Sequence, residues 1–195
     1  GAASWLAGGA SRATCGGARP VAGWTVAGQG EAAVKHRLTE TAGSISSKAG
    51  SKPETDSQKR IYEEYFTRAG IAPAERIVVV TDPGSPLDVS ARADGYQVFN
   101  ADPNVGGRYS ALTAFGLVPS GLAGADIANL LDEAEEEMFA LVFDKDQNPG
   151  LILGAAIAGT SPLKDKLGIV ADTTPLVGFA DWPEQLLAAS TRKPR

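Results

Sequence analysis

The sequence is poor in cysteine, histidine and methionine, with one residue of each type among 195. The single cysteine, Cys15, forms no disulfide within the chain, so a reducing cytoplasm is the simplest compartment. The sequence also lacks an apolar run of about 20 residues, which is the length that a membrane-spanning helix needs. These absences argue against a disulfide-rich scaffold and a transmembrane helix, and they predict a cytoplasmic protein.

Basic residues are also outnumbered. The chain has 18 Lys and Arg against 23 Asp and Glu, which gives a formal net charge of −5. A binder of nucleic acid normally carries a basic patch that neutralises phosphates, so no nucleic-acid partner is expected. Apolar residues make up 43% and charged residues 21%, which is ordinary for a globular domain.

Acidic residues are absent from the first thirty positions, where Gly and Ala fill sixteen places. The short apolar run around Trp5 follows no basic segment, so residues 1–30 do not read as an export signal. Low-complexity sequence of this kind buries little surface, which predicts a poorly ordered leader that ends near Gly30.

Beyond Gly30, helical and strand patterns alternate in units of about 20 to 30 residues. This alternation predicts an α/β fold, a doubly wound parallel sheet with flanking helices. The predicted helices cover residues 31–39, 52–68, 87–93, 110–115, 125–143, 149–158 and 183–189, and the predicted strands cover 42–47, 76–81, 96–100 and 166–171.

Three loops follow predicted strands, at residues 47–52, 82–86 and 101–108. Ligands of parallel α/β sheets bind at the carboxyl ends of the strands, so we expect the site there. The first loop places hydroxyls, a glycine and Lys48 before a helix, which suits an anion but also describes an ordinary helix cap. In the third loop two glycines precede Arg108, whose guanidinium can hold an anionic oxygen.

Other chemically suggestive residues have simpler explanations. The acids Asp132, Glu133, Glu135, Glu136 and Glu137 are expected to form a solvated helix face rather than a metal site. His36 and Cys15 match no catalytic pattern, and Trp182 is expected to serve packing.

The string DPNVGGRYSALTAFGL, residues 102–117, resembles the first signature of glucose-6-phosphate isomerases. Further strings resemble the same family in the same order. They are most similar to the actinobacterial long enzymes, including those fused to transaldolase. They are SSKAGSKPETDS (46–57), VVVTDPGSPL (78–87), GLVPSGLAGADI (116–127), SPLKDKL (161–167) and FADWPEQLLAAST (179–191).

The resemblance implies a sugar isomerase (SIS) domain and the cofactor-free, metal-free interconversion of glucose 6-phosphate and fructose 6-phosphate in glycolysis and gluconeogenesis. It implies that Ser47, Lys48 and Ser51 hold the sugar phosphate. Gly107 of the signature is implied as a substrate-binding residue, and Arg108, which follows it, as a catalytic residue that stabilises the enediolate. Gln185 is implied to line the substrate site. Family members usually dimerise, so a homodimer is also implied.

The sequence departs from the family pattern at the catalytic base. Ala189 stands where the family has a glutamate, and alanine cannot take a proton. Ala49 and Lys52 replace hydroxyl residues of the phosphate loop, and an upstream phosphate loop and the downstream catalytic histidine and lysine have no counterpart in this sequence. We therefore expect a leader (1–30), a sugar-phosphate domain (31–160) and the start of a following isomerase segment (161–195).

Three interpretations are open at this point. The chain is a partial glucose-6-phosphate isomerase with weak or no activity, a non-catalytic SIS module that binds sugar phosphate, or the product of a truncated gene. Saturable binding of fructose 6-phosphate and the rate of turnover separate the first two.

Overall fold

The computed structural model describes residues 38–162, 164, 166–170, 172, 179–188 and 190. The predicted leader, Cys15, His36, Ala189 and most of the helix predicted at 31–39 lie outside these residues. The described residues form two compact units, one holding those up to Ala125 and those from Phe179 onward, the other those from Asp126 to Asp172.

The first unit is built on a three-stranded parallel sheet in the order β1-β2-β3. The strands are β1 (Gly43–Ser47), β2 (Ile77–Thr81) and β3 (Gln97–Asn100). β2 lies in the centre and is a continuous β-branched run, as expected of a strand covered on both faces. Four of its five side chains are almost completely buried, and Val78 is half-buried.

Helices cover both faces of this sheet. On one face Val79 packs with Phe66 of α1 (Pro53–Arg68) and with Leu87 and Ala91 of α2 (Pro86–Ala93). On the other face Val80 packs with Phe115 of α3 (Ala114–Leu122). Successive side chains of a strand point to opposite faces, so Val79 belongs to the apolar core on one face of the sheet and Val80 to the core on the other. The predicted α/β fold with flanking helices is confirmed.

Local sequence signals explain where the helices of this unit begin. Pro53 and Pro86 stand in the first turns of α1 and α2, where a missing backbone N–H costs nothing. The Ser85 hydroxyl accepts a 3.1 Å hydrogen bond from the amide of Asp88 and caps α2. A 3-10 helix, Gly107–Leu112, precedes α3, and α6 (Asp181–Leu187) completes the unit.

The second unit contains α4 (Ile127–Val142) and α5 (Pro149–Ala158). Asn148 caps α5 by accepting bonds from the amides of Gly150 and Leu151. Neither helix has a buried residue, and Leu130, Leu131 and Met138 of α4 are exposed. The five acids of α4 are also exposed, and among the described residues no three His, Cys, Asp or Glu side chains gather as a metal site.

One predicted strand is wrong within the described residues. Residues 166–170 have no regular structure and are exposed, with Val170 89% accessible. A strand needs a neighbour for its backbone donors and acceptors, and no described strand pairs with this apolar run. The predicted helix at 110–115 is also displaced: those residues divide between the 3-10 helix and α3. No helix in the described part of the chain is long and apolar enough to cross a membrane.

Candidate functional site

The carboxyl ends of the three strands lie in one row. The parallel register pairs Ser47 with Thr81, and Thr81 with Asn100. The residues that follow these three therefore start the three loops that we singled out in the sequence. Buried apolar side chains end at this row and polar side chains begin, so the edge of the sheet is where ligand chemistry is available.

Lys48 connects the three loops through its ammonium group. Its Nζ forms an ion pair with the Asp82 carboxylate, at 2.9 and 3.0 Å from the two oxygens. The same nitrogen donates to the backbone carbonyls of Pro103 at 3.1 Å and Asp102 at 3.4 Å. Lys48 was predicted to hold a sugar phosphate, but here its donors bind the protein itself.

Ser47 has a buried hydroxyl without a partner. The residue is 6% exposed, and its Oγ is one of two buried side-chain polar atoms in the described residues that make no hydrogen bond. Its carbonyl is satisfied, because the buried Thr81 hydroxyl donates to it at 2.7 Å and also bonds the Ser85 hydroxyl at 2.7 Å. Since buried polar groups are normally paired, the Ser47 hydroxyl has an unused capacity for a hydrogen bond.

The loop after β1 turns sharply at Gly50, whose φ is +64°. A Cβ at this position would lie 2.8 Å from both Leu87 Cβ and Ser85 Oγ, so only glycine fits. The next residue, Ser51, is exposed and lines a cleft of about 510 Å³ with α1 and α2, whose other polar walls include Lys52, Lys59 and Ser90. The predicted phosphate loop thus has a fixed shape and an open side.

The loop after β2 is held by a cluster of hydrogen bonds to one carboxylate, that of Asp88. The Asp88 carboxylate accepts hydrogen bonds from the Gly84 amide at 2.8 Å, Asn100 Nδ2 at 3.1 Å and Arg92 Nε at 2.8 Å. The Gly84 amide above all, then Asn100 and Arg92, lowers the pKa of Asp88 below its usual value, because each stabilises the ionised carboxylate. This cluster fixes the turn that presents Asp82 to Lys48.

Arg108 lies against the carboxyl end of α6. Its Nη1 donates to the Gln185 carbonyl at 3.1 Å and to Ser190 Oγ at 3.2 Å. Tyr109 donates to the same Ser190 hydroxyl at 2.8 Å, and Trp182 Nε1 donates to the Arg108 carbonyl at 2.9 Å. Ser190 follows position 189 directly, so the arginine borders the segment in which the family glutamate is expected.

The structure gathers the predicted site residues into two groups. Ser47, Lys48 and Ser51 share the loop after β1. Gly107 and Arg108 are neighbours in the 3-10 helix, and Arg108 meets Gln185 of α6, although the Gln185 side chain is exposed and only its carbonyl makes the contact. The Lys48 bonds to the carbonyls of residues 102 and 103 connect the groups.

Sequence reasoning missed two residues that bind the predicted ones. Asp82 follows a buried strand in a loop already singled out, and that position was a usable signal. Ser190 neighbours Ala189 in the isomerase-like string, but no local pattern pointed to its bond with Arg108. Trp182 does pack, as predicted, edge-on against Phe179 at 6.0 Å, but it also binds Arg108.

Two relatives of this chain are glucose-6-phosphate isomerases. The chain is 35% identical over 161 residues to the glucose-6-phosphate isomerase of Thermosynechococcus vestitus, a match that covers 80% of this chain and 30% of that protein. It is 34% identical over 154 residues to the glucose-6-phosphate isomerase of Clostridium tetani, covering 76% of this chain and 34% of that protein. The chain thus spans about a third of the length of these relatives.

A solved structure shares the fold. A hypothetical protein from Thermus thermophilus superposes with a TM-score of 0.61 at 28% identity, over 68% of this chain and 33% of that one. No protein-family profile matches the chain. With 35% identity over four-fifths of its length, and with the signature string running through the 3-10 helix into α3, this chain belongs to the glucose-6-phosphate isomerase family.

Proposed function

We propose that this chain carries the sugar-phosphate-binding part of a glucose-6-phosphate isomerase site and binds fructose 6-phosphate and glucose 6-phosphate. The observation that carries the proposal is the unpartnered, buried hydroxyl of Ser47 at the carboxyl end of β1. It lies in the loop that resembles the family's phosphate loop, before the amino end of α1.

The phosphate end is supported by the chemistry of this loop. Ser47 and Ser51 offer hydroxyl donors, and the first amides of a helix attract an anion. Lys52 lines the adjoining cleft and adds a positive charge. Gly50 holds the loop in one conformation against α2, so little freedom is lost when a phosphate binds.

The sugar end is supported by the environment of Arg108. In the isomerase reaction a carboxylate takes the proton from C2 of the open-chain aldose and returns it to C1, through an enediolate. A guanidinium beside the reacting carbons stabilises the negative charge that develops on the enediolate oxygens. Arg108 is half-buried and is bonded by the Gln185 carbonyl and the Ser190 hydroxyl, both of which orient it.

The proton carrier of this reaction is missing from the chain. Ala189, in the position of the family glutamate, has no group that accepts a proton. Loss of a general base lowers a rate by about 10²- to 10⁴-fold. We therefore propose that the chain binds its sugar phosphate and turns it over weakly or not at all.

Ala189 also favours a second candidate, a sugar-phosphate-binding module without catalysis. The two candidates share the phosphate loop and differ in whether Arg108 takes part in chemistry. The variant Ala189→Glu separates them, because it supplies the carboxylate beside Ser190.

The test is titration calorimetry with fructose 6-phosphate, together with a coupled assay of its conversion to glucose 6-phosphate. We expect saturable binding that Ser47→Ala weakens about 10- to 100-fold, since a hydrogen bond to a charged group contributes about 1.5–3 kcal/mol. Ser57→Ala, at an exposed serine of α1, is the matched control and should leave the Kd unchanged. Absence of binding at millimolar ligand would refute both candidates.

The assay then decides between them. Weak turnover that rises in Ala189→Glu indicates an isomerase that has lost its base. No turnover in either protein, with binding retained, shows that a carboxylate at position 189 alone does not give catalysis and supports the binding module. Turnover by the unaltered chain at the rate of the Thermosynechococcus vestitus relative would contradict the assignment of the missing base to position 189.

A further inference from the structure

The Lys48 ammonium has three N–H donors, and the protein occupies them. The Asp82 carboxylate takes the ion pair at 2.9 Å, and the carbonyls of Asp102 and Pro103 accept the remaining bonds. The pair is reciprocal, because the Asp82 amide donates to the Lys48 carbonyl at 3.3 Å. An ammonium held in this way cannot also donate to a phosphate without leaving one of these partners.

The charge of Lys48 is neutralised locally as well. The side chains of Lys48 and Asp82 are 29% and 18% exposed, so water screens their attraction only in part. A dianion at the loop after β1 meets a neutral pair rather than a free positive charge. Attraction of the phosphate would then rest on the hydroxyls, the helix end and Lys52.

The carbonyls that Lys48 binds belong to a turn that leads to Arg108. Asp102 Oδ1 accepts from the Asn104 amide at 2.8 Å, and the Val105 amide donates to the Asp102 carbonyl at 3.3 Å. The Tyr109 amide then bonds the Gly106 carbonyl at 2.9 Å. Each bond fixes the backbone of the next few residues. The position of the Asp102 and Pro103 carbonyls therefore determines where the backbone of Arg108 lies.

We propose that Asp82 is a positioning residue, which holds Lys48 as a tie between the phosphate loop and the loop that carries Arg108. Lys48 itself is then a structural link and not a phosphate ligand. The effect of the tie on ligand binding rests on the proposed function, since the tie sets the distance between the loop that receives the phosphate and the arginine that faces the sugar carbons. Its geometry stands independently of any ligand.

The first test needs no ligand. Hydrogen exchange is compared in Asp82→Asn, Lys48→Met and the double variant, with Asp132→Asn at an exposed acid of α4 as the matched control. We expect amides 104–109 to exchange about tenfold faster in each single variant than in the unaltered chain. In the double variant they should exchange no faster than in either single variant, because either change breaks the same link. Amides of α1 report that the fold is retained. Unchanged exchange of amides 104–109 would overturn the tie.

If Lys48→Met does not fold, the isosteric Asp82→Asn answers the same question. Lys48→Arg keeps the positive charge beside Asp82 and should restore slow exchange in part, whereas a role in simple packing would not distinguish arginine from methionine at this site.

The second test uses inorganic phosphate and fructose 6-phosphate as probes. A tie predicts that the double variant, which removes both charges of the neutral pair, leaves the Kd of inorganic phosphate unchanged and raises that of fructose 6-phosphate several-fold, since only the sugar phosphate contacts both loops. A phosphate-binding Lys48 predicts instead that the double variant loses both ligands. Faster exchange in a chain that binds neither probe would refute the proposed function and leave the tie in place.

Discussion

Trp182 donates a 2.9 Å hydrogen bond from its indole nitrogen to the backbone carbonyl of Arg108, across 74 residues of sequence. The bond fixes the main chain of Arg108, while Ser190 and the Gln185 carbonyl fix its guanidinium. The main chain of Arg108 is therefore bonded to α6, and its guanidinium to α6 and to Ser190, which follows that helix. A side chain that acts on developing charge gains from this, because it needs no reorganisation when the charge forms.

Trp182→Phe removes the indole donor and keeps an aromatic ring against Phe179. We expect the free energy of unfolding to fall by about 0.5–1.5 kcal/mol, the net contribution of one hydrogen bond. Urea unfolding measures this change. Phe179→Leu is the complementary variant, since it disturbs the ring contact and leaves the Trp182 bond. An unchanged free energy of unfolding in Trp182→Phe, with a loss in Phe179→Leu, would contradict a stabilising role for the bond.

Gly50→Ala should destabilise the chain by about 2 kcal/mol or more. The alanine would have to adopt a positive φ, and its Cβ would overlap Leu87 Cβ and Ser85 Oγ at 2.8 Å. Gly84 is the matched control, because its φ is +71° but nothing lies within 4 Å of a Cβ there. Gly84→Ala should show only the backbone strain, about 1 kcal/mol. Equal losses in thermal unfolding would refute the close contact.

Thr81→Val tests the buried hydroxyl between β1 and α2. Valine keeps the shape but leaves the Ser47 carbonyl and the Ser85 hydroxyl without their partner, and Thr81 is fully buried. We expect a loss of about 1–3 kcal/mol in the free energy of unfolding. Thr67→Val on α1 removes a hydroxyl that is exposed to water, and it should change stability by less than about 0.5 kcal/mol.

Asp88 makes the stability of the chain depend on pH. Its pKa is lowered in the folded state, chiefly by the Gly84 amide, so unfolding takes up a proton in acid. The stabilisation is complete above the ordinary aspartate pKa of about 3.9 and is lost as the pH falls through the lowered value. Asp88→Asn should be less stable at neutral pH and should lose less stability between about pH 4 and about pH 2.

Urea unfolding across that pH range gives the comparison. Asp132→Asn on α4 is the control and should follow the unaltered chain. Parallel curves for Asp88→Asn and the unaltered chain would show that the carboxylate does not carry the acid sensitivity.

The sequence was sufficient for the elements with strong local signals. The β-branched run of β2, the prolines that open α1 and α2, and the unbroken helix at 149–158 each specify structure within a few residues. The wrong strand at 166–170 is also β-like in composition, but a strand exists only with a neighbour, and pairing is not encoded in the run itself.

The candidate site was predicted in part for a similar reason. Residue types and the GGR string indicated Ser47 and Arg108, since their chemistry is visible one residue at a time. The Lys48 bond to Asp82 spans 34 residues and the Arg108 bond to Ser190 spans 82, and no local pattern reports such distances. Whether a lysine holds a ligand or another loop depends on those distant partners.

The separation of partners along the chain also sets an order of folding. Neighbouring strands pair across 34 and 19 residues, so the sheet closes short loops and needs little loss of chain entropy. α6 must close a loop of 74 residues to reach Arg108 and gains few contacts in return. We therefore expect the contacts between Arg108 and α6 to form last in the first unit and to open first, so that α6 detaches while the sheet remains folded.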